Sequence, residues 1–239
     1  MEYTVDLFFN SRAFVEEELR GKTVVVIDVL RASSTILTAL SYGAKGVVPI
    51  RDLSEAGPFT RNLDPTRFVM CGERDGVKID GFHFGNSPLE FQPADMENKT
   101  VVLSTTNGTM AITRASLAKN LYIASLLNAG AVAEHLKTLD QDLFFICAGW
   151  KNRLSIEDIL CAGYILNELF GGNLPESTRD GARVAHGLYV SCKDRITEVV
   201  QASNHAARLR DLNYGADIEF CCELNKFNLV PALREGIIK

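Results

Sequence analysis

Short runs of apolar, largely β-branched residues alternate with helix-like segments along most of this chain. Strand-like runs occupy residues 23–29, 46–50, 100–105, 121–125 and 143–148, and helix-like patterns follow at 34–43, from Thr109, at 129–138 and at 156–170. Apolar strands that alternate with helices are typical of sheets covered by helices. The sequence therefore predicts an α/β fold with a mostly parallel or mixed sheet and flanking helices.

Two segments depart from this pattern. Residues 71–93 are rich in glycine and charge without a clean period, and a long irregular segment in a compact enzyme is more often a functional loop than a linker. Residues 171–181 form a turn-rich break, and about 181–212 is helical and polar. The length of 239 residues suits one large domain or two small ones, and we expect a single domain over residues 1–239. An alternative with two similar α/β subdomains that divide near 130–142 stays open.

The composition narrows the class of protein. A net charge of −5 and a pI of about 5.5 argue against a uniformly basic nucleic-acid binder.

The start, MEYTVDLFF, lacks the pattern of a signal peptide, and no apolar run reaches the roughly 18–20 residues that span a bilayer. The six cysteines form no C-x-x-C pair and several lie in apolar runs. We therefore expect reduced, buried thiols in a cytoplasmic protein.

The strand over 23–29 ends in a turn with unusual polar chemistry. Asp28 closes a run of Val and Ile, Arg31 follows, and Ser33 and Thr35 begin the helical pattern. In open α/β sheets, ligands bind beyond the carboxyl ends of the strands. Asp28 is therefore a candidate to bind Mg²⁺ or accept a proton, and Arg31 to bind a phosphate or sulfonate. The alternatives are a carboxylate that caps the loop and a surface ion pair.

A second strand-to-helix turn is rich in hydroxyl and amide groups. Thr105, Thr106, Asn107 and Gly108 lie just before a helical pattern. The free N–H groups and the dipole of a helix N-terminus favour a phosphate at this place. The alternative is that Asn107 or Thr106 is an ordinary N-cap residue.

A third turn, CAGWKNRLSIED, carries two adjacent acids. Ser155 and Asp158 have the spacing of a capping box, which explains Asp158 without any ligand. Glu157 has no such explanation beyond its favourable place near a helix N-terminus. With Asp28, the two acids would make a hard-oxygen Mg²⁺ site. If the sheet is parallel, the three turns can meet at one edge.

The same turn offers a competing chemistry. Cys147 and Arg153 have the C-x5-R spacing of the cysteine-dependent phosphatases, in which a thiolate attacks phosphorus. The match is weak, because Ile146 and Leu154 stand where many such enzymes have His and Ser or Thr. A buried strand cysteine is the alternative.

Further candidates lie in the irregular segment and near the C-terminus. Glu73 is a candidate metal ligand and Arg74 a candidate anion-binding side chain. His83 lies between two Phe residues, which favours packing over catalysis. His205 is a candidate proton donor to a leaving alkoxide, although a solvated histidine on a helix is the simpler interpretation.

Six segments of the chain together resemble one known family. In order they read VVVIDVLRASSTILTAL, GERDGVKIDGFHFGNSPLEF, KTVVLSTTNGTMAI, SLLNAGAVAEHL, CAGWKNRLSIEDILCAG and DIEFCCELNKFNLVP. They make the chain, over about residues 3–238, similar to the 2-phosphosulfolactate phosphatases. The positions that match the polar motifs of that family are Asp28, Arg31, Ser33, Thr35, Glu73, Arg74, Asn86, Thr105, Thr106, Asn107, Gly108, Glu157 and Asp158.

The resemblance implies a Mg²⁺-dependent acid phosphatase. Its reaction would be hydrolysis of (2R)-2-phospho-3-sulfolactate to 3-sulfolactate and phosphate, a step toward coenzyme M. It also implies an α/β fold specific to the family. The partner is then a small anionic phosphorylated substrate, with no nucleic acid and no membrane, and a homo-oligomer stays open.

From their chemistry we assign expected roles to the matched residues. The residues expected to be catalytic are Asp28, Glu157 and Asp158. The expected Mg²⁺ ligands are Asp28, Glu73, Glu157 and Asp158. The expected substrate-binding residues are Arg31, Ser33, Arg74, Asn86, Thr105, Thr106, Asn107 and Gly108. Three alternatives stay open: a cysteine-dependent phosphatase using Cys147 and Arg153, a phosphatase of another phosphorylated hydroxy acid, and a non-catalytic anion-binding module.

Overall fold

The computed structural model describes residues 4–52, 54–55 and 64–239, and within them the strands form two sheets. The first sheet has four parallel strands in the order β1, β8, β2, β7. Its strands are β1 (Val5–Phe8), β2 (Thr23–Ile27), β7 (Asn120–Ala124) and β8 (Leu143–Cys147). The central strand β2 therefore has a parallel neighbour on each side.

The second sheet is mixed and has the order β5, β4, β6, β3, β10, β9. Its strands are β3 (Gly46–Pro49), β4 (Phe68–Arg74), β5 (Val77–Lys78), β6 (Thr100–Ser104), β9 (Leu233–Arg234) and β10 (Ile237–Ile238). The strands β3, β4 and β6 are parallel, whereas β5, β9 and β10 join in antiparallel pairs. The predicted α/β class with parallel and mixed sheets is confirmed.

Nine α-helices connect and cover these strands in the described residues. They are α1 (Ala32–Ser41), α2 (Pro93–Met96), α3 (Gly108–Arg114), α4 (Ala129–Leu136), α5 (Ile156–Phe170), α6 (Asp180–Cys192), α7 (Ile196–Gln201), α8 (Asn204–Asp211) and α9 (Gly215–Cys221). The helices α6, α7 and α8 lie where the sequence predicts a polar helical region, and α9 follows it. No helix in the described ranges is long and apolar enough to cross a membrane.

The strand β2 is buried on both faces. Val25 and Ile27 belong to one hydrophobic cluster, which includes residues of α4, α5 and α6. Val24 and Val26 belong to a second cluster, which includes residues of α1, α3 and both sheets. Because each face packs against apolar groups, the strand is a continuous apolar run rather than an alternating one.

The three polar turns do not lie on one sheet, contrary to the expectation from the sequence. The turns after β2 and β8 end strands of the first sheet, and the turn after β6 ends a strand of the second. Helices α1 and α3 pack within the cluster that both sheets share, and this packing brings the turns together. Asp28 therefore lies at the carboxyl end of the central strand, facing the second sheet.

Five of the described strands were not predicted from the sequence: β1, β4, β5, β9 and β10. The strand β1 pairs with β8, and β4 forms a hairpin with β5 inside the segment predicted to be irregular. The end of β4 contains glycine and charged residues. Its sequence therefore lacks the alternation of apolar and polar residues that predicts a strand. The strand β8, which follows residues 130–142, pairs with β1 and β2, which precede them. The division into domains stays a prediction.

Candidate active site

A cavity of about 630 Å³ lies where the turns after β1, β2, β4, β6 and β8 meet helix α8. Its walls carry more charged and polar side chains than apolar ones. The lining residues are Arg12, Asp28, Leu30, Arg31, Glu73, Asp75, Gly76, Asn86, Thr105, Thr106, Asn107, Met110, Trp150, Lys151, Asn152, His205, Arg208 and Leu209. Seven of the predicted site residues lie here: Asp28, Arg31, Glu73, Asn86, Thr105, Thr106 and Asn107.

Asp28 is a buried wall residue of the cavity, immediately after β2 ends. Its Oδ1 accepts a hydrogen bond from the backbone amide of Ala32 at 3.2 Å, so the carboxylate also caps the start of α1. No hydrogen bond from the described residues reaches Oδ2. A Cβ added at Gly108 would lie 2.6 Å from Oδ2, so glycine is required where α3 approaches this carboxylate.

The charge on Asp28 is disfavoured by its surroundings. Burial raises the pKa of Asp28 to about 6, and the negative charges of Glu73 and Glu157 add to the rise. His205 and the amide of Ala32 oppose it. A cation bound next to Asp28 would stabilise the ionised carboxylate and lower its pKa.

Glu157 and His205 form a hydrogen-bonded pair beside the cavity. Glu157 is fully buried in the first turn of α5, and its Oε1 lies 2.8 Å from Nδ1 of His205 and accepts from Ser155 Oγ at 2.6 Å. Burial alone would raise the pKa of Glu157, but the hydrogen bond and charge of His205 hold it below its usual value. The ring of His205 stacks on Trp150 with centroids 5.2 Å apart. The expectation of a solvated histidine is therefore wrong.

Asp158 is a structural anchor rather than half of a capping box. Its Oδ1 accepts from the backbone amide of Val29 at 2.8 Å, and its Oδ2 from that of Gly149 at 3.2 Å. Burial and the charges of Asp28 and Glu157 raise the pKa of Asp158 well above its usual value. This carboxyl group joins the turns after β2 and β8. The predicted capping box is wrong because Ser155 Oγ donates to a side chain instead of capping α5.

Glu73 joins the β4–β5 hairpin to the turn after β6. Its Oε1 accepts from the backbone amide of Thr106 at 2.7 Å. Its Oε2 accepts from the amide of Gly76 at 2.7 Å and from Thr106 Oγ1 at 3.1 Å. Both oxygens are therefore engaged in holding two walls of the cavity together.

The four carboxylates expected to bind Mg²⁺ do not form one coordination shell. Within the described ranges, no group of three or more His, Cys, Asp or Glu side chains could hold a metal ion. Glu73 and Asp158 are committed to protein donors, as described above. Asp28 retains an uncommitted Oδ2, and Glu157 Oε2 is buried without a partner among the described residues. Since Mg²⁺ is commonly held by one or two carboxylates together with phosphate oxygens and water, this smaller donor set still fits the ion.

Arg31 lines the cavity in an ion pair that the sequence did not predict. Its Nη1 donates to Oδ2 of Asp217 at 2.6 Å, and both side chains are almost fully buried. Ser87 Oγ donates to Oδ1 of the same aspartate at 2.7 Å, and the guanidinium lies 4.1 Å from the ring centroid of Tyr214. The alternative of a surface ion pair is wrong, because this pair is buried. Its Nη2 donates to the carbonyl of Gly76 at 3.4 Å, so the guanidinium is held in place at the cavity wall.

Arg74 points away from this cavity, contrary to expectation. Its guanidinium donates to the backbone carbonyl of Glu73 at 2.7 Å and to Ser104 Oγ at 2.9 Å. It lines a neighbouring cavity of about 380 Å³ together with Arg51 and Asp52. The structure therefore separates Arg74 from Asp28.

Three other expected contacts have structural roles. Ser33 Oγ is buried and accepts from the amide of Asp28, so it lies behind the cavity wall. Thr35 Oγ1 donates to the carbonyl of Asn86 at 3.0 Å, which fixes the loop that brings Asn86 to the cavity. Gly108 provides space for Asp28 rather than a lining atom. Asn86 itself has a buried Oδ1 without a partner in the described residues.

The turn after β6 presents backbone amides to the cavity. Thr105 Oγ1 accepts from the amide of Thr109 at 3.1 Å, so Thr105 caps α3 where the sequence suggested Thr106 or Asn107. The amides of Asn107 and Gly108 donate to no acceptor in the described ranges. Asn107 lines the cavity, so a tetrahedral anion next to Asp28 could accept a hydrogen bond from its N–H group.

Cys147 cannot serve as the nucleophile that its spacing suggests. Its side chain is fully buried at the end of β8, and burial, together with Asp158, raises the pKa of the thiol well above its usual value. Arg153 is exposed and does not line the cavity. The C-x5-R alternative is wrong, because a nucleophilic cysteine must be an accessible thiolate. All six cysteines are buried and unpaired, as predicted.

We expect Cys147→Ala to retain wild-type kcat within about three-fold, because the thiol touches no substrate. Loss of a buried sulfur should lower the free energy of unfolding by about 1 kcal/mol. Phosphate release and urea denaturation measure the two effects. A folded Cys147→Ala protein without activity would contradict this result and restore the thiolate mechanism.

Several cavity residues were missed because they flank strands that the sequence did not reveal. Arg12 follows β1, and Asp75 lies in the β4–β5 hairpin. Nothing in the sequence distinguishes Lys151 and Arg208 from ordinary surface cations. Only their position in the cavity identifies them as site candidates. Recognition of TVDLFF as a strand would have drawn attention to Arg12, since polar residues that follow a parallel strand are ligand candidates.

Comparison with known proteins gives a consistent result. A family model described as 2-phosphosulpholactate phosphatase matches residues 9–236. A protein of Symbiobacterium thermophilum with the name "Probable 2-phosphosulfolactate phosphatase" is 43% identical over 220 residues, which cover 92% of this chain and 94% of the relative. Proteins of the same name from Caldanaerobacter subterraneus and Clostridium tetani are 38% identical over 224 residues and 37% identical over 235 residues. These two alignments cover 94% and 98% of this chain and 92% and 99% of the relatives.

Proposed function

Because the chain belongs to the 2-phosphosulpholactate phosphatase family, we propose that it hydrolyses (2R)-2-phospho-3-sulfolactate to 3-sulfolactate and phosphate in a Mg²⁺-dependent reaction. The reaction class of the family is phosphoric monoester hydrolysis. The observation that carries the proposal is Asp28, a carboxylate with an uncommitted oxygen in a cavity that also holds cations. Such a cavity suits a small, highly charged phosphate ester.

The carboxylate of Asp28 is the proposed Mg²⁺ ligand. Glu157, whose Oε2 is buried without a partner in the described residues, is the proposed second acid. A bound Mg²⁺ would neutralise phosphoryl oxygens and orient water. Its positive charge would also relieve the electrostatic cost that raises the pKa of Asp28. Glu73 and Asp158 would keep the surrounding turns in place through their backbone hydrogen bonds.

The turn after β6 and Arg31 would bind the substrate anions. The amide of Asn107 would donate to a phosphate beside Asp28, and both Asn107 and Arg31 line the cavity. Phosphoryl transfer depends mainly on positioning and charge stabilisation, so these contacts would supply much of the catalysis. A water molecule attacks phosphorus directly in this arrangement, and no protein nucleophile is required.

His205 would protonate the departing alkoxide of sulfolactate. Its Nδ1 is engaged by Glu157, its ring is held against Trp150, and Nε2 is the nitrogen left for the cavity. A carboxylate that engages one imidazole nitrogen fixes the tautomer and the orientation of the ring. The role of Glu157 in catalysis would then include orientation of this histidine.

The experiment that tests the function is phosphate release from 2-phosphosulfolactate, with Mg²⁺ and with EDTA, beside phospholactate and p-nitrophenyl phosphate. We expect turnover that requires Mg²⁺ and favours the sulfonated substrate, because the cavity provides cations for more than one anionic group. Re-addition of Mg²⁺ after EDTA should restore the rate, which controls for damage by the chelator.

Other outcomes would contradict separate parts of the proposal. Turnover of the simple esters alone would keep a phosphatase but assign another phosphorylated hydroxy acid as substrate. Activity that survives EDTA would remove Mg²⁺ from the mechanism. Binding of phosphate without turnover of any ester would leave a non-catalytic anion-binding module.

A further inference from the structure

Four cationic side chains line the cavity, and two of them have no hydrogen-bond or ion-pair partner among the described residues. Arg31 is paired with Asp217, and Arg208 donates to the backbone carbonyl of Asp75 at 3.3 Å. Arg12 and Lys151 differ from them. Within the part of the chain that the structure describes, neither side chain forms a hydrogen bond or an ion pair, yet both line the cavity.

Arg12 and Lys151 belong to neighbouring loops that touch each other. Arg12 follows β1 and Lys151 follows β8, and these two strands are parallel partners. The amide of Ser11 donates to the carbonyl of Ala148 at 3.4 Å. A Cβ added at Gly149 would lie 2.8 Å from the Cβ of Asn10. The two unpaired cations therefore come from one pair of adjacent loops at the cavity.

The loop that carries Lys151 has an uncommon backbone. The amide of Trp150 donates to the carbonyl of Arg153 at 3.1 Å, and the reverse bond is 2.9 Å. The two residues between them, Lys151 and Asn152, have φ values of 51° and 59°. This two-residue turn favours Asn and Gly, so a lysine at its first position is strained. Strain of this kind concentrates at functional sites.

The turn also fixes where the ammonium group lies. Nζ of Lys151 is 4.7 Å from the ring centroid of Trp150, and the same indole stacks on the ring of His205. An ammonium group over an indole ring is held in place without loss of its charge. The positive charge is therefore held against the indole ring that also packs on His205, and it remains available to an anion.

We propose that Arg12 and Lys151 form a subsite for the sulfonate group of the substrate. The inference rests on the proposed function and deepens it. The substrate carries a phosphate, a carboxylate and a sulfonate, with a total charge of about −4. The phosphate belongs beside Asp28 and the turn after β6, which leaves another anionic group of the substrate to reach Arg12 and Lys151 in the same cavity. A sulfonate has three acceptor oxygens, which match guanidinium and ammonium donors.

The test compares two substrates that differ by the sulfonate. Arg12→Gln and Lys151→Asn each remove one charge, and asparagine tolerates the backbone of the turn. For 2-phosphosulfolactate we expect each variant to lower kcat/KM by about 10-fold, the loss expected for one charge-assisted contact. For phospholactate we expect kcat/KM to stay within about two-fold, since that ester has no group for the subsite. Lys151→Arg should keep the preference for the sulfonated ester.

Arg153→Gln is the matched control. It removes one positive charge from the residue that closes the same turn, but Arg153 is exposed and does not line the cavity. We expect this variant to leave both substrates unchanged. An equal loss for both substrates in the Arg12 and Lys151 variants would show a general attraction for anions and would overturn the subsite.

The two proposals fail differently. A wild-type enzyme that prefers 2-phosphosulfolactate, with variants that keep the full preference, would overturn the subsite alone. A wild-type enzyme that shows no turnover of 2-phosphosulfolactate, or no preference for it over phospholactate, would overturn the proposed substrate and the subsite with it.

Discussion

Asp28→Asn is expected to lower kcat for phosphate release by about 10³-fold or more, because it removes the charge that would hold Mg²⁺ at the cavity wall. Asparagine has the same size, and its carbonyl oxygen can still accept from the amide of Ala32. The free energy of unfolding should therefore stay within about 1 kcal/mol of the wild-type value. Steady-state kinetics at saturating Mg²⁺ and urea denaturation measure the two quantities.

Asp75→Asn is the control for this variant. Asp75 lines the same cavity but is exposed, and asparagine suits its positive φ of 52°. We expect its kcat to stay within about three-fold of the wild-type value. Near-wild-type activity of Asp28→Asn would remove Asp28 from the mechanism. A phosphorylated Asp28 peptide trapped during turnover would instead replace direct attack by water with a covalent mechanism.

Asp217→Ala is expected to lower the free energy of unfolding by about 3–5 kcal/mol, the usual effect of removing one partner from a buried ion pair. The substitution leaves the guanidinium of Arg31 and the hydroxyl of Ser87 without their acceptor, and both side chains are buried. Because Arg31 lines the cavity, its release should also raise KM. Urea denaturation at constant pH measures the loss of stability.

Glu219→Ala provides the comparison for this stability measurement. Glu219 lies on the same short helix, α9, and is exposed. Its removal should change the free energy of unfolding by no more than about 0.5 kcal/mol. If Asp217→Ala were equally mild, Arg31 would have to find water or another acceptor in the cavity, and the ion pair would not be what positions it.

The sequence predicted much of the fold because its signals are local. The strands β2, β6, β7 and β8 are short apolar runs, and each is followed by a helical pattern. The strands β1 and β4 lack such a signal, since one is short and the other ends in glycine and charge. Sequence periodicity cannot reveal a strand that is buried by neighbouring elements but does not itself alternate apolar and polar residues.

The sequence predicted the site less completely than the fold. Asp28, Arg31, Glu73 and the turn after β6 do line one cavity, because polar residues at the ends of strands are recognisable in a sequence. The expected positions of Ser33, Arg74 and Gly108 differ from those observed. Each of these residues satisfies a hydrogen bond or a packing requirement that arises only when two distant turns meet.

The amino-acid sequence by itself determined the α/β class, the family and the strand end that carries Asp28, because these depend on local period and on motif order. Only the tertiary structure decided which partner each charged group has. Arg31 meets Asp217 across 186 positions of the chain, and His205 meets Glu157 across 48. Such pairs are set by how helices pack on sheets. A charged side chain carries no local signal of which buried partner the packing will bring to it.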